Sequence, residues 1–127
     1  MRQPKFPSGG DWTIGGLKQN VEELSDSLAL EFFDDCDDLD YFTAAWLESD
    51  RIGPVLLLRY KHSQGSGVEV LVDSRVSRQD AIQTLKREFG VAHSSWAWLA
   101  KHQTYAEALA EADRHTREAQ QENRRSG

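Results

Sequence analysis

The sequence predicts an α+β domain. A small antiparallel sheet, a three-stranded meander with room for a fourth strand, packs against an N-terminal amphipathic helix and a central helix, and a polar C-terminal helix follows. Three observations carry this reading. Two β-rich runs, residues 54–62 and 68–73, are split by Ser63-Gln-Gly-Ser-Gly67, the pattern of a hairpin. A capped helical pattern runs directly after it, from Ser77 to Gly90. Ahead of both, Leu17, Val21, Leu24, Leu28 and Phe32 recur at steps of four and three, the spacing of one helical face.

Taken in chain order, residues 1–16 hold Pro4, Pro7 and the glycines 9, 10, 15 and 16, which reads as a flexible arm that Trp12 and Ile14 dock locally. The domain proper spans 17–103. Its first helix is expected to run from Leu17 to about Phe33. There the acids of 34–40 would meet the negative end of the helix dipole and stop it. Residues 41–47 alternate Phe42, Ala44 and Trp46 against Tyr41, Thr43 and Ala45, which favours a strand, although the two alanines also suit a helix.

In the hairpin, Val68, Val70 and Val72 share one face. Ser77 is a good N-cap, Ala81, Ile82, Leu85 and Phe89 share a helical face, and Gly90 supplies a left-handed C-cap. Residues 96–100 fit either a last strand, with Trp96 and Trp98 on one face, or a short helix capped by Ser95. Thr104 to Glu107 reads as a capping box opening the C-terminal helix of 104–127. Its stripe of Tyr105, Leu109, Ala112, Thr116 and Ala119 is weak, so fraying is expected after about Arg117 and disorder from Glu122.

Composition bounds the function. A single cysteine, Cys36, rules out an intramolecular disulfide and a cysteine-based zinc site. No apolar run approaches the ~20 residues that span a bilayer, and residues 1–16 lack an apolar signal core, so a reducing cytoplasmic setting is expected. The net charge of −6 is uneven: residues 1–50 carry 12 acids and 3 bases, residues 51–103 carry 8 bases and 4 acids.

No catalytic set emerges. Gly65-Ser66-Gly67 sits at a hairpin tip and not on the strand-to-helix turn a nucleophile elbow needs. The same loop lacks the Gly-Lys-Ser/Thr of a phosphate-binding loop. Aspartates around Cys36 oppose a nucleophilic thiolate. His62, His93, His102 and His115 lack metal-binding helical spacing. An EF-hand begun at Asp35 puts Asp40 where glycine belongs and Trp46 where a bidentate glutamate belongs, so the match fails. Neither a cofactor nor a metal is expected.

Two charged constellations remain. The acids Glu31, Asp34, Asp35, Asp37, Asp38 and Asp40 read as a surface for a basic protein partner, set against the plainer reading of a solubilising loop. The bases Arg59, Lys61, Arg75 and Arg78 read as a nucleic-acid-binding hairpin and helix, set against balancing surface charge on an acidic protein. The first is favoured. It predicts a non-catalytic interaction module, in concrete form an immunity or antitoxin-like inhibitor. Self-association through the C-terminal helix or through Trp96 and Trp98 is a further expectation.

Overall fold

In the computed structural model, which describes residues 6–37, 40–62 and 67–126, the domain is α+β as expected but its sheet has six strands. They are β1 (Asp11–Leu17), β2 (Phe33–Cys36), β3 (Tyr41–Ser49), β4 (Gly53–Tyr60), β5 (Val68–Asp73) and β6 (Trp96–Leu99). All pairings are antiparallel, in the order β2-β3-β4-β5-β1-β6. The helices are α1 (Val21–Leu28), α2 (Arg78–Phe89) and α3 (Tyr105–Ser126). The hairpin turn expected at 63–67 lies, apart from Gly67, outside the described residues, as does the first part of the expected arm. No helix among the described residues is long and apolar enough to cross a membrane.

The largest correction concerns the arm. Residues 11–17 form β1, inserted between β5 and β6. Trp12 and Ile14 are core residues, and the Trp12 indole N–H donates to the Val76 carbonyl at 3.0 Å. Gly15 and Gly16 suggested flexibility, but space explains them better. A Cβ on Gly15 would sit 3.0 Å from the Trp96 ring, and one on Gly16 would overlap the Trp98 indole, whose Cε2 lies 2.8 Å away. Adjacent residues of a strand face opposite sides of the sheet, so the two tryptophans cover opposite faces. Gly16 pairs with Trp98 and Leu17 with Trp96, so Ala97 is the extra residue of a β-bulge. The expectation that Trp96 and Trp98 share a face is thereby overturned. Trp96 is buried and Trp98 is 48% exposed.

The first helix is also shorter than the apolar repeat suggested. Asn20 caps it, accepting from the Glu23 N–H at 2.8 Å while the Glu23 carboxylate accepts from the Asn20 N–H at 3.1 Å. Leu17 therefore belongs to β1. The helix ends after Leu28, with Ala29 left-handed at φ 53° and the Ser25 hydroxyl donating to the Leu30 carbonyl at 2.7 Å. Phe33 onward is released to pair as β2. At the other end of the chain, α3 continues to Ser126 and does not stop near Arg117. Its start is folded back on 101–102 by Glu111, whose carboxyl is held at about 2 by hydrogen bonds from Lys101 and His102.

The core lies on one sheet face. Register places Trp12, Gly15, Leu17, Val55, Leu57, Val68, Val70 and Val72 on that side, where Leu24 of α1 and Ala81 and Leu85 of α2 complete it. The α2 caps are those expected: Ser77 accepts from the Asp80 N–H, and Gly90 is left-handed at φ 71°. Glu88 of α2 also fixes the β3–β4 turn, accepting from the Ser49 hydroxyl at 3.0 Å and the Asp50 N–H at 3.2 Å.

Two stability predictions follow from this packing. Leu85→Ala should cost roughly 2–5 kcal/mol in urea unfolding, since its side chain is enclosed between α2 and the sheet. Asp73 gives a pH signature. Burial opposes its ionisation, but hydrogen bonds from the Ser8 and Arg75 backbone and the Arg75 side chain outweigh it and hold the carboxyl at about 2. A carboxyl depressed on folding stabilises above its unfolded value near 4 and loses that contribution as pH falls toward 2. Wild type should therefore exceed Asp73→Asn in stability at pH 7 and converge on it near pH 2. A constant difference across unfolding curves at pH 7, 4 and 2.5 would contradict this assignment.

Candidate functional site

The acidic stretch is built as an edge strand and a turn, not as the loop its charge density suggested. β2 is one of the two edge strands, and among the described residues it pairs only with β3: Phe33 with Ala44, Asp34 with Thr43, Asp35 with Phe42 and Cys36 with Tyr41. The strand survives its charge because its acids are exposed and locally hydrogen-bonded. The Thr43 hydroxyl donates to Asp34 at 2.7 Å, and the Cys36 N–H donates to Asp35 at 2.8 Å. Phe33 supplies the half-buried apolar contact.

The turn after β2 is tied by its own carboxylates. The Asp37 N–H donates to the Asp40 carbonyl at 3.1 Å, and the Asp40 N–H to the Asp37 carboxylate at 2.9 Å. The Tyr60 hydroxyl donates to Asp37 at 2.8 Å. Burial, and then that hydrogen bond, push the Tyr60 phenol up to about 12. Asp40 accepts from the backbone N–H groups of Tyr41 at 2.7 Å and His62 at 3.2 Å, with the His62 ring 3.5 Å away. Asp38 lies outside the described residues. Glu31 is exposed just ahead of β2.

The two charged constellations meet here. Asp34, Thr43 and Arg59 form one row across β2, β3 and β4. With Asp35 and Lys61 they line a cleft of about 620 Å³. The Arg59 guanidinium donates to the Gly67 carbonyl at 3.0 Å, and the Lys61 ammonium lies 5.9 Å from the centre of the Tyr41 ring. Arg75 and Arg78 are elsewhere. They follow β5, whose end lies beside the start of β4, whereas Arg59 and Lys61 lie at the end of β4. Arg75 bonds Asp73 at 3.2 Å, and the Arg78 guanidinium donates to the Ala100 carbonyl. The four bases thus divide between two ends of the sheet.

The residues that shape the site and that sequence reasoning missed are Thr43, Tyr60 and His62. Each becomes visible only once β3 and β4 are set in register. The sheet face away from the helices was missed as well. It carries Ala44, Trp46, Leu56, Leu58, Glu69 and Leu71, with Phe6 packed on Trp46 at 5.3 Å between ring centroids. No protein-family model, curated protein or solved structure matches this chain.

Proposed function

We propose that this protein is a non-catalytic interaction domain whose acidic edge, Glu31, Asp34, Asp35, Asp37 and Asp40, binds a basic protein partner. The observation that carries the reading is the placement of Asp34 and Asp35 on an edge strand and of Asp37 and Asp40 in the turn after it, all oriented by hydrogen bonds before any partner arrives. Preorganised charges spare the ordering cost that weakens flexible acidic loops on association. The outer edge of β2 also offers backbone N–H and C=O groups to an added strand, so an extended basic segment has both a hydrogen-bonding ladder and complementary charge. Lys61 at the cleft adds register, because the partner must present an acceptor opposite its ammonium. An immunity or antitoxin-like inhibitor, which covers a basic active face by charge complementarity, is the concrete form of this reading.

The test is affinity capture followed by binding kinetics, using wild type and a Glu31→Lys/Asp34→Lys/Asp35→Lys variant. These three acids are exposed, so the variant should fold. The captured partner should be basic. The variant should lower its association rate by about tenfold or more at low salt and flatten the salt dependence, because surface charges act chiefly on encounter. Unchanged kinetics would reduce the acidic edge to a solubilising feature. Micromolar binding of mixed-sequence DNA or RNA, abolished by Arg59→Glu/Lys61→Glu, would favour the nucleic-acid reading instead.

A further inference from the structure

On the sheet face opposite the helices, one charged side chain stands between apolar register partners. Glu69 stands on β5 between Leu58 of β4 and Gly16 of β1, its register partners, with Leu71 next along the same face. It is half-buried, and none of the described hydrogen bonds or ion pairs involves it. Burial alone pushes its carboxyl up from the ordinary value. An ionisable group taken partly out of water without a partner costs free energy, and among the described residues no hydrogen bond or ion pair offsets this cost.

The neighbouring strand supplies the second half of a site. Trp98 pairs with Gly16 from the other side, and its indole lies over that glycine, occupying the place of a side chain. The ring therefore covers the gap between β6 and Glu69 as a flat plate, and it is 48% exposed. Neighbouring strands are about 4.8 Å apart, so Glu69 and Trp98 stand roughly 10 Å apart at the backbone with the indole reaching between them. An exposed aromatic plate beside an unpaired carboxylate fits a planar cation. The guanidinium stacks on the ring while its N–H groups meet the carboxylate, a geometry a lysine ammonium serves less well.

We infer that Glu69 and Trp98, whose indole rests on Gly16, form an anchor site for an arginine side chain of the basic partner, on the sheet face away from the helices and separate from the acidic edge. This rests on the reading of the protein as a binder of basic proteins and adds the residue that would dominate the contact energy: tryptophan and arginine are the typical centres of interfaces, whereas exposed charges at the margin mostly steer.

The probe is acetyl-Val-Arg-Val-amide, with its citrulline counterpart as the uncharged control, titrated into the full-length protein and followed in amide and indole NMR spectra. The arginine peptide should shift the Trp98 indole N–H and the Gly16 and Glu69 amides saturably, and the citrulline peptide should not. Glu69→Gln and Trp98→Ala should each weaken binding by about tenfold. Trp98→Phe, which keeps an aromatic plate, should weaken it less and guards against a folding artefact, which the dispersion of the spectrum reports directly. The Glu31→Lys/Asp34→Lys/Asp35→Lys variant should bind the peptide at Trp98 within about twofold of wild type. Shifts confined to the acidic edge, or Glu69→Gln binding as well as wild type, would overturn the anchor while leaving the acidic-edge reading intact. An absence of shifts at either place would count against both.

Discussion

The structure depends on the close approach of β1 to β6. Gly15 and Gly16 present bare backbone on both sheet faces, and Trp96 and Trp98 fill the two spaces, one from each side. The bulge at Ala97 makes this achievable, because in a regular strand residues 96 and 98 would fall on one face. Once β1 is clamped this way, β5 gains a neighbour on each side and its valines can be fully buried. The helices then need to cover only one face, and Trp98 lies across part of the other, where Ala44 and Leu58 are also buried. The edge at the far end is left to β2, a short strand whose charges suit an unpaired outer side.

How much of this was legible in the sequence depended on whether the information was local. The β4–β5 hairpin, α2 with its Ser77 and Gly90 caps, and β3 are written in alternation, capping and turn residues a few positions apart. They appear where the pattern puts them. β1 was not legible, since two glycines in a row look like flexibility until the tryptophans that need their space, some 80 residues later, are seen against them. The Asn20-x-x-Glu23 capping box was in the sequence and would have placed the start of α1 at Val21. The four-and-three apolar repeat instead drew the helix back to Leu17 and on to Phe32. The repeat was real, but Leu17 belonged to a strand and Phe32 to the approach to β2.

The site divides along the same line. A cluster of aspartates can be counted from the sequence, but its partners cannot, because Thr43, Arg59 and Tyr60 reach it only through strand register. Bringing Asp34 and Asp35 beside Arg59 and Lys61 turns two rival surfaces into one mixed cleft, while Arg75 and Arg78 serve Asp73 and Ala100 at the other end of the sheet. Glu69 was the least visible of all. In the sequence it is one polar residue in an alternating strand, and only its apolar register partners on that face make the carboxylate noteworthy.

Amide hydrogen exchange tests the central claim most directly, because the account makes residues 11–17 an inner strand where their composition suggests an arm. The amides of β1 that pair with β5 should exchange as slowly as those of β4 and β5, close to the limit set by global unfolding. Exchange of residues 11–17 at loop rates, with β4 and β5 still protected, would contradict the β1–β6 clamp, and with it the face on which Trp98 and Glu69 meet.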